Sequence, residues 1–267
     1  MSVPCLETAI VVETIPVAEK GFLSKFRAPK IAAAVKAGQF VMASFPGILD
    51  PLLPRAYSVC DVDGECVKLF YVAVGKGTKR LSSLKQGEVI RLNGPLGNGF
   101  PTPLRGEEVW VVVGGSGAAL LPILIKSSEK ADASLQIFYG ARTKSQIASL
   151  GSNSIHYATD DGSIGYHGTV VQLMKKEMKR IDSNEVERKP SKLFACGPTP
   201  MLASLQQEIG TEVQTYLSVE TPMACGMGFC QGCPIKIRGK MDYSLACKDG
   251  PVFESQQIEF ESTNEAK

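Results

Sequence analysis

The stretch EVWVVVGGSGAALLPILIKSSEK, residues 108–130, decides the fold class of this chain. Its first part is short, rich in valine and almost wholly apolar, which predicts a buried strand. Gly114, Gly115 and Gly117 predict a tight turn, and the run AALLPILIKSSEK, residues 118–130, predicts a helix. A buried strand that leads through a glycine turn into a helix is the unit from which parallel, doubly wound sheets are built.

The same alternation of strand and helix continues as far as residue 212. The segments that follow are SLQIFYGAR (134–142), SNSIHYATDDG (152–162), TVVQLMKKEMKR (169–180) and KLFACGPTPMLASLQQEI (192–209). The first two predict strands, the third a helix, and the last a strand, a turn and a helix. Strands separated by helices pair in parallel, so residues 104–212 are predicted to form a parallel-sheet α/β domain.

Residues 1–103 have a different pattern. Short runs with alternating or clustered apolar residues are separated by glycine, proline and aspartate. These runs are AIVVETI (9–15), QFVMASF (39–45), AYSVCDV (56–62), CVKLFYVAV (66–74) and EVIRLNG (88–94). Short strands at this spacing, without helices between them, predict an antiparallel β-barrel.

The remaining segment, residues 213–267, carries four of the eight cysteines, spaced C-x4-C-x2-C-x13-C from Cys225 to Cys247. Thiolates ligate iron–sulfur clusters, and glycines let the backbone N–H groups approach the sulfides. The spacing of Cys225, Cys230 and Cys233, followed later by Cys247, is the plant-type pattern for a [2Fe–2S] cluster. A structural zinc site also takes four cysteines and stays open as an alternative. With either an iron–sulfur cluster or a zinc ion, we expect a small C-terminal module that is held together by its metal ligands.

The composition of the 267-residue chain excludes several classes of protein. The net charge is +2, and no basic stripe is interleaved with aromatic residues, so nucleic-acid binding is not expected. No apolar run has the length of a membrane span, so no membrane association is expected. The N-terminal segment carries Glu7 and Glu13 and does not resemble a signal peptide. We therefore expect a cytoplasmic protein, in which clustered cysteines bind metal rather than form disulfides.

Two segments of the predicted barrel carry residues suited to a flavin. In Arg55-Ala56-Tyr57-Ser58, the arginine can pair with a diphosphate, the tyrosine can stack on a flat ring and the serine can reach a flavin edge. The segments Phe70-Tyr71-Val72 and Gly75-Lys76-Gly77-Thr78 follow, and glycines before a short helix expose N–H groups to phosphate. Each motif alone is compatible with ordinary structure, but their order along a barrel favours a flavin site.

The predicted parallel sheet carries candidate nucleotide-binding residues at its strand ends, where such sheets bind nucleotides. Gly115 and Gly117 follow the first strand, and Cys196 and Gly197 follow a later one. Asp160 ends the third strand and is followed by a second aspartate. Because a 2′-phosphate would need a basic residue at this point, we expect NADH rather than NADPH.

Taken together, R-x-Y-S, G-x-G-T, the glycine turn and C-G-P-x-P-M stand in the order found in the ferredoxin–NADP reductase superfamily, which the chain resembles over nearly its whole length. With M-A-C-G-x-G-x-C-x-x-C and DGPVF (249–253), it resembles more narrowly the electron-transfer subunits of class 1B dihydroorotate dehydrogenases. The resemblance implies FAD on Arg55, Tyr57, Ser58, Phe70, Tyr71, Val72, Gly77 and Thr78. It implies NAD(H) near Gly115, Gly117, Asp160, Cys196 and Gly197, and a [2Fe–2S] cluster on Cys225, Cys230, Cys233 and Cys247.

The resemblance also implies a function and a partner. Electrons would pass between NAD+ and an FMN-containing dihydroorotate dehydrogenase catalytic subunit in pyrimidine biosynthesis, in a heterotetramer with two copies of each chain. No residue is needed as a general base, so none is assigned a catalytic role. Two alternatives remain open. One is an NAD(P)H–ferredoxin reductase-like subunit of a sulfhydrogenase or transhydrogenase complex, and the other is a zinc-stabilised binding module without enzymatic activity.

Overall fold

The structure is a computed structural model that describes residues 3–151, 154–182 and 189–260. It contains a closed six-stranded barrel, a seven-stranded sheet flanked by helices and a two-stranded C-terminal hairpin. The predicted combination of an antiparallel barrel, a parallel-sheet domain and a small C-terminal unit is confirmed. Among the described residues, no helix is long and apolar enough to cross a membrane.

The barrel closes in the order β1-β2-β5-β4-β3-β6, and all of its neighbouring strands are antiparallel. Its strands are β1 (Cys5–Ala18), β2 (Gly21–Arg27), β3 (Phe40–Ser44), β4 (Arg55–Asp63), β5 (Cys66–Val72) and β6 (Val89–Leu96). The predicted runs omit β2. Ser24 lies on this strand and interrupts its apolar pattern. It can be fully buried because its hydroxyl is hydrogen-bonded to the Tyr71 hydroxyl at 2.8 Å.

Two short helices accompany the barrel strands. Helix α1 (Pro29–Ala34) follows β2, and α2 (Lys76–Ser82) follows β5. In α2, Thr78 Oγ1 accepts the backbone N–H of Gly75 at 3.0 Å, which caps the first turn. The glycine-rich segment predicted to precede a short helix therefore does so.

The sheet has the order β10-β9-β8-β7-β11-β12-β15, and only the β12–β15 pair is antiparallel. Its strands are β7 (Glu108–Gly114), β8 (Ser134–Ala141), β9 (Ile155–Thr159), β10 (Tyr166–His167), β11 (Lys192–Cys196), β12 (Gln214–Ser218) and β15 (Val252–Glu254). The flanking helices are α3 (Leu121–Ala131), α4 (Val170–Asp182) and α5 (Thr199–Ile209).

The first of these helices begins later than the sequence predicts. Residues Gly115–Leu120 form a 3-10 helix, and α3 begins only at Leu121. Pro122 lies in the first turn of α3, where its missing N–H is tolerated and its fixed φ suits the helix start. The prediction of one helix over 118–130 is therefore wrong for its first turn.

The C-terminal segment is interwoven with the other two parts. Strands β13 (Pro234–Lys236) and β14 (Tyr243–Leu245) form the small hairpin, whereas β15 joins the large sheet beside β12. Strand β12 itself lies beyond residue 212 and pairs with β11. The division into domains at residues 103 and 212 stays a proposal, with β12 and β15 as structural members of the sheet.

The barrel and the sheet share apolar cores. One core joins Phe40 and Leu96 of the barrel to Leu217 of the sheet and to the buried Cys233 and Cys247. A second core joins barrel residues, among them Cys60 and Phe70, to β7 and to the 3-10 helix after it. The strand ends that carry the predicted flavin and nucleotide sites therefore lie on either side of these shared cores. We call this apolar contact between the barrel and the sheet the joint.

Candidate flavin, nucleotide and cluster sites

A cleft of about 390 Å³ lies between the barrel and the carboxyl ends of the sheet strands. Six of the eight predicted flavin residues line it, namely Tyr57, Ser58, Phe70, Tyr71, Val72 and Thr78. The opposite wall comes from the glycine turn after β7, from the segment after β12 and from the residue before β15. The fold thus brings residues that are far apart in sequence to one apolar cleft with polar edges, the usual character of a cofactor site.

Two hydroxyl groups in this cleft are suited to a polar ligand. Within the described chain, the buried Tyr57 and Thr221 hydroxyls have no hydrogen-bond partner. Burial raises the pKa of Tyr57 to about 12, so its phenol stays protonated and can donate. Its ring lies edge-on to that of Tyr71, with centroids 5.6 Å apart. Because an unpaired buried polar group is costly, both hydroxyls fit a cleft filled by a flat molecule with polar edges.

The two remaining predicted flavin residues lie together beside the cleft. A Cβ on Gly77 would lie 3.1 Å from Cγ of Arg55, so the arginine side chain crosses α2 at its glycine. The guanidinium donates to the carbonyl oxygen of Leu53 at 2.7 Å. Arg55 is exposed and retains donors for the diphosphate of a dinucleotide.

The predicted nucleotide residues after β7 and β11 are in contact. A Cβ on Gly117 would lie 2.2 Å from the carbonyl oxygen of Cys196, so only glycine permits this approach of the two turns. A Cβ on Gly197 would lie 3.1 Å from the backbone nitrogen of Gly114. Cys196 is buried, and burial raises the pKa of its thiol, so it is a packing residue of the turn and not a thiolate.

Asp160 lies apart from these turns, at the end of β9 on the same edge of the sheet. The neighbouring Asp161 carboxylate accepts the Ser163 hydroxyl at 2.6 Å and the Ser163 N–H at 3.0 Å, and these hydrogen bonds lower its pKa. The Asp161 carboxylate therefore stabilises its own loop through these hydrogen bonds. Asp160 is also exposed at this strand end.

The four predicted cluster ligands are arranged as two pairs of thiols. Sγ of Cys233 lies 3.2 Å from Sγ of Cys247, and Sγ of Cys225 interacts with the Cys230 side chain. In the described part of the chain, no three His, Cys, Asp or Glu side chains converge on the position of one metal ion. Two pairs suit a binuclear cluster, in which each iron takes two protein ligands, better than one tetrahedral zinc ion.

Backbone N–H groups point at the sulfurs. The Cys230 and Met227 N–H groups donate to Sγ of Cys225, each at 3.4 Å, and lower the pKa of its thiol to about 6. The Gly228 N–H donates to Sγ of Cys247 at 3.1 Å. The Cys230 and Met227 N–H groups therefore favour negative charge on Cys225, whereas burial and the neighbouring Cys233 raise the pKa of Cys247 to about 12.

The four cysteines differ in exposure. Cys233 and Cys247 are buried in the core that joins barrel and sheet, whereas Cys230 is exposed. Met227 and Phe229 beside it are also exposed, Phe229 at 82%. The Cys230 edge is therefore the side of this loop that another protein can reach.

Sequence reasoning missed part of the cleft wall. Ser218, Val219, Glu220, Thr221 and Met223 line it, and so does Pro251. For residues 219–223 the signal was available, because they follow the end of the parallel strand β12 just as Gly115 follows β7 and Asp160 follows β9. Part of the surface of Glu220 stays accessible at the cleft, but the surrounding protein removes water from its carboxyl group and raises its pKa.

The class of protein follows from comparison with solved structures. The chain is similar to the structure of an NADH-dependent reduced ferredoxin-NADP oxidoreductase, with 26% identity, a TM-score of 0.80 and coverage of 94% of this chain and 89% of the other. It also shares the fold of a ferredoxin NADP+ reductase from Neisseria gonorrhoeae solved with bound FAD and NADP, at 19% identity, a TM-score of 0.61 and coverage of 76% and 90%. The fold is that of the ferredoxin–NADP reductases.

The family is defined more closely by sequence. Residues 220–259 match the iron-sulfur cluster binding domain of dihydroorotate dehydrogenase B. The dihydroorotate dehydrogenase B (NAD(+)) electron transfer subunit of Desulforamulus reducens is 38% identical over 92% of this chain and 95% of its own length. The subunit of the same name from Fusobacterium nucleatum is 32% identical over 96% and 99%. The chain belongs to the family of dihydroorotate dehydrogenase B electron transfer subunits, and the predicted resemblance is confirmed.

Proposed function

We propose that this chain passes electrons between NAD+ and a catalytic subunit that oxidises dihydroorotate, within pyrimidine biosynthesis. One observation carries the proposal: the wall of the flavin cleft continues directly into the cluster loop. Met223 lines the cleft and is followed two residues later by Cys225, while Pro251 lines it four residues after Cys247. Such continuity supports short-range electron transfer between the two sites. Neither the transhydrogenase-type subunit nor the zinc module is favoured by the family match.

The cleft residues suit FAD. When bound, FAD supplies the chemistry that this conduit needs, because it exchanges a hydride with a nicotinamide and single electrons with an iron–sulfur cluster. Tyr57 and Thr221, whose hydroxyls are unpaired, would hold FAD together with Phe70 and Tyr71 of the cleft wall. Arg55, lying across Gly77, would pair with its diphosphate.

The sheet holds NAD(H). The glycine turn at Gly115 and Gly117 meets the turn at Cys196 and Gly197, and Ser116 of the first turn lines the cleft. Both turns would approach the nucleotide through backbone groups. Asp160 accepts the ribose hydroxyls and repels a 2′-phosphate, which selects NADH over NADPH. No general base is assigned, because hydride exchange requires only that the two rings be held in contact.

The cluster connects the chain to its partner. Cys225, Cys230, Cys233 and Cys247 would hold the [2Fe–2S] cluster, and the exposed Cys230 marks the side of the loop that the catalytic subunit would approach. We propose that this partner carries FMN, that two copies of each chain assemble into a heterotetramer, and that the complex is cytoplasmic. The exposed Met227 and Phe229 form an apolar rim suited to a protein contact.

The test is anaerobic purification of the tagged chain from its native extract, with analysis of the flavins and proteins that co-elute. We expect a brown chain that carries FAD and a cluster, together with an FMN-containing subunit, and bleaching of the flavin spectrum by dihydroorotate. A colourless zinc-containing chain would overturn the redox function. A brown chain that arrives with a hydrogenase or a ferredoxin would overturn the dihydroorotate assignment alone.

A further inference from the structure

A buried carboxylate joins the barrel to the helix that follows the glycine turn. Asp61 lies on β4, and its side chain is only 8% exposed. Its Oδ1 lies 2.5 Å from Nζ of Lys126 on α3, and its Oδ2 lies 3.1 Å from Nζ of Lys68 on β5. The Lys126 ammonium group also donates to the carbonyl oxygen of Val62 at 2.9 Å. We call the contact between Asp61 and Lys126 the barrel–sheet ion pair.

The backbone of β4 is shaped to make this contact. Its pairing with β5 shifts between Val59 and Asp61, so Cys60 is the extra residue of a β-bulge. The bulge places the Cys60 side chain in the core shared with the sheet and presents Asp61 to α3. Bulges commonly redirect side chains beside functional sites.

The ion pair spans the joint between the two halves of the flavin cleft. Strand β4 begins with the residues that line the cleft, and α3 continues directly from the glycine turn. Without Lys126, Asp61 would keep Lys68, which lies on the barrel, and the charge contact that links β4 to α3 would be lost. The geometry of the joint therefore depends on both members of the pair.

We propose that Asp61 and Lys126 are positioning residues for hydride exchange, an inference that rests on the proposed function. In this step NADH gives up a hydride, which is two electrons and one proton, to oxidised FAD, so that NAD+ and the reduced flavin anion result. The reacting atoms must lie about 3–3.5 Å apart, and a displacement of about 1 Å can reduce the rate on the order of 100-fold. Because FAD is held by the barrel and the nucleotide by the sheet, loss of the pair changes this distance more than it changes either affinity.

The test is anaerobic stopped-flow reduction of the FAD- and cluster-loaded protein by NADH, with parent and variants compared. We expect Asp61→Asn and Lys126→Met to lower the limiting rate of flavin reduction about tenfold or more. The apparent dissociation constant for NADH should change less than about threefold, and the long-wavelength charge-transfer absorbance between nicotinamide and flavin should weaken. Lys126→Arg, which keeps the charge, should retain most of the rate.

Asp63→Asn is the control, because Asp63 lies on the same strand but pairs at 2.7 Å with Lys25, another barrel residue, at the barrel surface and makes no ion pair with the described residues of the sheet domain. It should reduce flavin at the parental rate. Parental rates in both Asp61→Asn and Lys126→Met would overturn the positioning role, as would an equal loss in Asp63→Asn. A parent protein that NADH fails to reduce would instead overturn the proposed function. If Asp61→Asn does not retain FAD, Lys126→Met and Lys126→Arg decide the question.

Discussion

Replacement of Gly117 by alanine tests how closely the two nucleotide turns approach each other. The added Cβ would lie 2.2 Å from the carbonyl oxygen of Cys196, 2.5 Å from its carbonyl carbon and 2.8 Å from the nitrogen of Gly197. All three atoms belong to the backbone, so no side-chain rotation relieves the contact. Either the 3-10 helix after β7 or the turn after β11 must move by about 1 Å to restore an ordinary contact distance.

The displacement has a measurable cost. Forcing one extra carbon into a well-packed site destabilises a protein by about 1–3 kcal/mol, and the rigid backbone contacts at Gly117 favour the upper part of that range. We expect Gly117→Ala to lower the free energy of unfolding by that amount and to weaken NAD+ binding about tenfold or more, with FAD binding unchanged. Urea unfolding, NAD+ titration by calorimetry and flavin fluorescence measure the three quantities.

Gly75→Ala is the control for the unfolding measurement. No heavy atom lies within 4 Å of the Cβ that would be added at Gly75, and its φ of −120° is open to alanine. This variant should unfold within about 1 kcal/mol of the parent. If Gly117→Ala unfolds and binds NAD+ as the parent does, the two turns do not meet in the way described and the nucleotide site must be built differently.

Three further predictions concern the cluster loop and the cleft. Cys230→Ser should abolish the visible absorbance of the cluster while FAD stays bound, because Cys230 is exposed and lies outside the cleft lining. Loss of FAD as well, measured by flavin release, would contradict the conclusion that the cluster and flavin sites are separate. Phe229→Ala should weaken capture of the catalytic subunit by about 1–2 kcal/mol in a binding titration, whereas Met241→Ala, also fully exposed but on the hairpin, should have a smaller effect. Loss of water around the carboxyl group raises the pKa of Glu220 above its ordinary value of 4.5. The contribution of Glu220 to stability is therefore present below pH 4.5 and is lost as the pH rises through the folded-state pKa. The free energy of unfolding of Glu220→Gln should therefore fall less between pH 4.5 and pH 8 than that of the parent. The same pH dependence in the variant and the parent would refute this assignment.

Much of the fold was predictable because it follows from local patterns. The valine-rich run before Gly114 and the cysteine spacing each depend on neighbouring residues and on the bonding preferences of one element. Strand β2 was not predicted, because its buried Ser24 is compatible with the barrel core only through hydrogen bonds to the hydroxyls of Thr14 and of Tyr71, which is 47 positions away. Likewise, the start of α3 depends on how the glycine turn packs against β4.

The candidate site divides in the same way. The residues alone reveal the kinds of group available, namely an Arg-x-Tyr-Ser motif, two glycine turns and four thiols, because each is encoded within a few residues. Two contacts could be seen only in the folded chain: Pro251 closes the same cleft, and Asp61 reaches Lys126 across the joint. Such contacts depend on the relative placement of a barrel and a sheet, which is set by shared apolar packing over the whole chain and leaves no signature at any one segment.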